Sequence, residues 1–177
     1  MVAPLSGRKV AMFVEQDFED VELAGPRDAL VEAGAEVVIV GPTAGVRYRG
    51  KKGLVVAADV AASATKADDF DALVIPGGHA PDRMRTRRPM VDLARDMMQA
   101  GRIVAAICHG PQVLITADAL DGRTLTCWPS IAIDVRNAGG LHVDRPVAVD
   151  GNLITSRKPD DVPKFNRALI DALAALP

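Results

Sequence analysis

Cys108 stands where an apolar run ends and a helix-like segment begins, a place from which a thiol can act as a nucleophile. Ile103-Val104-Ala105-Ala106-Ile107 reads as a buried strand, and Gln112-Val113-Leu114-Ile115-Thr116-Ala117-Asp118-Ala119-Leu120 reads as a helix. A sharp turn between them, here Cys108-His109-Gly110-Pro111, holds its side chain strained and exposed, as in a nucleophile elbow. A helix N-terminus favours negative charge, so Cys108 is expected to ionise more readily than a free thiol. His109 is a candidate general base or proton carrier. Adjacent side chains rarely point at one another, however, and spacing alone leaves its role open. Cys127, in Leu125-Thr126-Cys127-Trp128, has none of this context and reads as structural.

Two further loops offer chemistry. Glu15, Asp17, Glu19, Asp20 and Glu22 form an acidic stretch after an apolar strand. An ionised carboxylate beside a thiolate raises the thiol pKa, whereas a carboxyl that keeps its proton donates a hydrogen bond to the sulfur. One buried glutamate of this stretch could therefore tune Cys108, and spacing does not select which. Gly77-Gly78 follows another strand, and glycine N–H groups there could form an oxyanion hole. His79 and His142 belong to no recognisable ligand set, and the histidines and cysteines lack zinc-site spacing, so no metal is expected. Neither G-x-x-x-x-G-K-[ST] nor G-x-G-x-x-G occurs, so no nucleotide cofactor is indicated.

The elements that must position these loops follow from apolar patterning. Arg8 to Val14, Val37 to Val40 and Asp71 to Ile75 read as strands. Gly41 to Asp59 reads as a short hairpin or edge excursion, and Val147 to Thr155 as a late hairpin. Pro26 is expected in the first turn of the first helix and Gly34 at its end. Met90, Leu93, Ala94, Met97 and Met98 repeat at helical spacing and read as core fillers. Asp160 is a natural N-cap for a last helix carrying Val162, Phe165, Leu169, Leu173 and Leu176 on one face. Strands alternating with helices, several of them apolar throughout, predict a mostly parallel sheet covered on both faces. In such sheets ligands gather beyond the carboxyl ends of the strands, where the three loops should meet.

The chain has 177 residues, nearly half of them apolar and a quarter charged, which suits one domain over residues 1–177 with a substantial core. A net charge of −2 argues against nucleic acid as the main partner. The densest basic stretch, Arg83 to Arg88, has no aromatic residue for base stacking and reads as a solvated helix start. Met1 to Gly7 lacks the apolar core of a signal peptide, and no apolar run approaches the roughly 20 residues that span a bilayer. Two cysteines make no disulfide framework, so reduced thiols in the cytoplasm are the default expectation.

Four segments in this order resemble the ThiJ/PfpI superfamily, and within it the PfpI branch of intracellular cysteine-peptidase-like stress proteins. They are Asp17-Phe18-Glu19-Asp20-Val21-Glu22-Leu23, Phe70-Asp71-Ala72-Leu73-Val74-Ile75-Pro76-Gly77-Gly78-His79-Ala80-Pro81, Ala106-Ile107-Cys108-His109-Gly110-Pro111-Gln112 and Thr155-Ser156-Arg157-Lys158-Pro159. The resemblance implies a single-domain, flavodoxin-like three-layer α/β/α sandwich. It implies Cys108 as nucleophile, His109 as its neighbouring histidine, Glu19 as the glutamate that contacts the sulfur, and Gly78 as oxyanion donor. In the branch a glutamate of another subunit completes the histidine, and Asp82, one methylene shorter, holds that position here. His79 stands where the branch is familiar with arginine. A homo-oligomer, dimer or hexamer, is implied as well. So is a cysteine hydrolase without cofactor, an intracellular peptidase or a glyoxalase/deglycase acting on methylglyoxal adducts, with a small carbonyl or peptide substrate. The alternative is a redox sensor or chaperone-like stress protein whose Cys108 is oxidised to sulfinate.

Overall fold

The computed structural model describes residues 3–177, so Met1 and Val2 of the Met1 to Gly7 stretch lie outside the described residues. The strands in chain order are β1 (Lys9–Phe13), β2 (Glu36–Gly41), β3 (Arg47–Arg49), β4 (Val55–Ala57), β5 (Val60–Ala61), β6 (Ala72–Ile75), β7 (Ile103–Ile107), β8 (Thr124–Leu125), β9 (Leu141–His142), β10 (Val147–Asp150) and β11 (Leu153–Ser156). The helices are α1 (Asp20–Glu32), α2 (Ala80–Met84), α3 (Arg88–Gln99), α4 (Pro111–Thr116), α5 (Ala132–Asn137) and α6 (Val162–Ala174).

The main sheet runs β10-β11-β7-β6-β1-β2-β5. Every pairing is parallel except the β10–β11 hairpin at one edge. Every residue of β6 and β7 is buried, as expected of parallel strands covered on both faces. The crossovers β1–α1–β2 and β6–α3–β7 run in opposite directions along the sheet. Right-handed connections therefore put α1 and α3 on opposite faces, which makes the three-layer, flavodoxin-like sandwich. The change of direction falls between β1 and β6, a switch point that opens a crevice beyond their carboxyl ends.

The methionine stripe of α3 is buried, as the spacing predicted. Helix α6 buries Val162, Phe165, Leu169 and Leu173, and it packs on α1. Gly25 permits that approach, since a Cβ there would lie 2.8 Å from Val162 Cγ1.

Three local expectations are corrected. Helix α1 begins at Asp20, so Pro26 lies in its interior and not in its first turn. Lacking an N–H, Pro26 leaves the Glu22 carbonyl without its partner one turn on. Asp160 belongs to the short 3-10 turn Pro159–Asp161, and Asp161 holds the N-cap position of α6. Its carboxylate does not cap the helix but pairs with Arg157 at 3.0 Å. Helix α4 ends at Thr116, short of the expected Leu120.

Candidate active site

The loops after β1, β6 and β7 are tied together by their backbones. Phe18 and Gly78 form an antiparallel bridge, Glu19 N–H donates to Gly77 O at 3.1 Å, and His79 N–H donates to Asp17 O at 2.9 Å. Gly78 has φ +81°, and a Cβ there would fall 2.4 Å from the Glu19 nitrogen. Only glycine fits this crossing.

Cys108 itself adopts φ +63°, the left-handed region that is costly for a side-chain-bearing residue. The turn is pinned by Cys108 N–H donating to Ser156 O at 3.0 Å and Trp128 N–H donating to Cys108 O at 2.9 Å. This twist answers the question that adjacency left open, for it brings His109 Nδ1 to 3.3 Å from Cys108 Sγ. The His109 ring stacks on Trp128 with centroids 6.0 Å apart. The backbone N–H groups of Gly78 and His109 face the sulfur and favour its thiolate.

The carboxyl that reaches the sulfur belongs to Glu22, not to Glu19 as the resemblance implied. Because α1 starts at Asp20, Glu22 falls in its first turn and is turned wholly inward. Its Oε2 accepts Gly77 N–H at 2.8 Å, and burial raises its pKa to about 7. Glu19 lines the same cavity but holds Lys51 Nζ at 3.0 Å and Lys52 Nζ at 3.4 Å.

Burial pushes the Cys108 thiol up, and the charge of Glu22 pushes it further. This reverses the expectation of ready ionisation. Cys108 is only 6 % exposed, and its loss of water outweighs the two amides and the single short helix behind it. Both shifts oppose a pair with two negative charges, so Cys108 and Glu22 keep at least one proton between them at neutral pH. His109 is pushed down by burial first, then by His79 and Lys51, and is neutral at that pH.

Cys108, Glu22, Gly78, His109, Lys51 and Trp128 line a cavity of about 340 Å³. Gly78 thus sits beside the sulfur as expected. Asp82 does not, for it is exposed on α2 and lines a second cavity of about 430 Å³ with His79, Arg83 and the outer side of His109. Cys127 is buried and unpaired with Cys108, its thiol pushed up to about 12 by burial. His142 lies on β9, outside both cavities. Among the described residues no three His, Cys, Asp or Glu side chains converge in a way that could hold a metal ion. Nor is any helix long and apolar enough to cross a membrane. Sequence reasoning missed Glu22 as the sulfur's partner, and Lys51 and Trp128 altogether.

A buried thiol on a left-handed strand-to-helix turn, with a neutral histidine and a glutamate on the sulfur, defines a cysteine-centred protein of the flavodoxin-like class. Residues 8–172 match the DJ-1/PfpI family, and the chain belongs to that family. It is similar to protein/nucleic acid deglycase 2 of Escherichia coli, with 44 % identity over 170 residues that cover 95 % of this chain and 99 % of that protein. It is similar also to an Anabaena variabilis protein with DJ-1/ThiJ/PfpI-like and ferritin-like domains. There the TM-score is 0.93 at 45 % identity, covering 96 % of this chain and half of that two-domain protein. DJ-1beta of Drosophila melanogaster superposes with a TM-score of 0.89 at 29 % identity, covering 96 % of this chain and 91 % of that one.

Proposed function

We propose that the chain is a Cys108-dependent stress-response hydrolase of the glyoxalase/deglycase kind, acting on methylglyoxal adducts in the cytoplasm. The observation that carries this reading is the contact of Cys108 Sγ with His109 Nδ1 at 3.3 Å on a cavity of about 340 Å³. A space of that size suits a small adduct better than an extended peptide, which ranks the peptidase activity second. The 44 % identical deglycase of Escherichia coli supports the same choice.

Chemically, the Cys108 sulfur adds to the electrophilic carbonyl carbon of the adduct, forming a carbon–sulfur bond while the carbonyl π electrons move to oxygen. The thiol proton passes to His109 Nδ1, which is neutral and so able to accept it. The Gly78 N–H steadies the oxygen anion. Overall, adduct plus water returns the free amine or thiol and lactate. The aldehyde-derived carbon is oxidised as its ketone neighbour is reduced, so the balance needs no outside oxidant. We infer also a homo-oligomer, dimer or hexamer, in which Asp82 of one subunit reaches His109 of another.

The test compares wild type with Cys108→Ala and Cys127→Ser on methylglyoxal, glycated thiols and casein peptides. Cys108→Ala should lose at least ~10³-fold in kcat/KM, as removal of a covalent nucleophile does, while Cys127→Ser keeps wild-type turnover. Equal turnover by Cys108→Ala sinks the reading.

One observation favours the redox alternative. A Glu22 carboxyl with pKa about 7 is partly protonated at neutral pH and can donate to an oxygen of a Cys108 sulfinate. Mild peroxide should then add two oxygens at Cys108 and none at Cys127, read by peptide mass spectrometry. Equal oxidation of both rejects the sensor role.

A further inference from the structure

We propose that Lys51 is the anion-binding group of the Cys108 cavity, and that it selects carbonyl substrates whose reaction leaves a carboxylate at the reacting end. The inference deepens the deglycase reading and rests on it for the identity of the acid.

Lys51 owes its place to a hairpin fastened over the site. The β3–β4 turn is held by Lys51 N–H donating to Phe18 O at 2.9 Å, and by Asp17 N–H donating to Arg49 O at 2.8 Å. The Asp20 carboxylate accepts Lys52 N–H at 3.0 Å and Leu54 N–H at 2.8 Å. Gly50 lies so close beneath that a Cβ would fall 2.2 Å from Asp20 Oδ1. The Lys51 side chain carried by this turn is 39 % exposed and lines the cavity beside Cys108. It acts electrostatically on Cys108, Glu22 and His109 alike.

Glu19 fixes Lys51 without cancelling its charge. The carboxylate is 6 % exposed and takes Lys51 on one oxygen and Lys52 on the other. Two ammonium groups share the one Glu19 carboxylate, so Glu19 alone does not neutralise both. An incoming anion finds there a cation already oriented, with the N–H groups of Gly78 and His109 below it. An ordinary surface lysine would pair with one exposed acid. This one is tied by a buried acid that it shares with Lys52, and it lines the cavity of the nucleophile.

The probe is alkylation of Cys108 by iodoacetate and by iodoacetamide, followed in a Cys127→Ser background. In both reagents a sulfur–carbon bond forms as the carbon–iodine bond breaks and iodide leaves, and the two differ in one negative charge. Lys51→Met should lower the iodoacetate-to-iodoacetamide rate ratio by about fivefold, the effect of one partly exposed charge, and Lys51→Arg should keep it. An unchanged ratio in a Lys51→Met protein with wild-type circular dichroism overturns the inference. A second measurement needs no variant: lactate should protect wild-type Cys108 from iodoacetamide, and no protection by either enantiomer overturns the inference too. The outcomes also separate the two levels of reading. A wild type that leaves methylglyoxal adducts intact but keeps a Lys51-dependent preference retains the anion site and loses the deglycase assignment. Turnover of adducts with no role for Lys51 does the reverse.

Discussion

At Glu22 a single carboxyl sets both the proton count of the site and a cost in stability. Its pKa stands at about 7 against an ordinary 4.5, because burial disfavours the charged form. The native chain therefore holds this proton more tightly than the unfolded chain. The contribution is fully present below pH 4.5 and is lost as pH rises through about 7. Ionisation then costs up to about 3 kcal/mol. Glu22→Gln has no proton to lose and can still accept the Gly77 N–H. Urea unfolding should show the variant gaining on wild type as pH rises from 5 to 8, by no more than about 3 kcal/mol. Parallel pH profiles would mean that Glu22 is already ionised in acid. The identity of this residue was not legible in sequence. Glu19 and Glu22 both sit in an acidic stretch, and the choice depends on where α1 begins. Pro26 suggested a later start, which left Glu22 in a loop. The real start at Asp20 puts Glu22 on the inward face and leaves Glu19 at the N-cap position, turned to the lysines. Cys108 and Gly78 were legible because an abrupt end to an apolar run needs no knowledge of helix phase.

Among the elements, the strands and the long helices were readable from patterning, since the central strands β6 and β7 are apolar throughout and the α3 stripe repeats at helical spacing. The β3–β4 hairpin was readable only as an excursion. Its functional content lies in Lys51, and nothing within ten residues of Lys51 signals that the turn folds back over Cys108. That contact is made by Asp20, whose carboxylate takes two amides of the turn. Asp20→Ala should cost about 1.5–3 kcal/mol, the range for hydrogen bonds to a charged group. The loss should be local. Hydrogen exchange at the Lys52 and Leu54 amides should speed up sharply while that of β6 and β7 stays slow. Uniform acceleration across the sheet would show that the hairpin supports the whole fold and not only the site.

On the scale of the whole molecule, the three-layer sandwich makes a crevice at its switch point and leaves a second opening on the outer side of His109, where Asp82 sits. An acid brought to that imidazole from another subunit would tie activity to assembly. Asp82→Ala should then keep its fold and its Cys108 alkylation while kcat falls roughly a hundredfold, the low end for a group that aids proton transfer. Light scattering should report a dimer or hexamer for the active protein, and a fully active monomer excludes the role. The stacking of Trp128 on His109 has a different consequence, an optical one. Trp128 is the only tryptophan in the chain, so all indole emission originates beside the nucleophile. An imidazolium quenches indole more strongly than a neutral imidazole does. Burial holds His109 below its ordinary 6.5, so the emission should stay bright at neutral pH and dim only in more acidic solution. His109→Gln should abolish that titration. The molecule thus carries its own reporter, through which occupancy and proton movement at Cys108 can be watched in real time without a label.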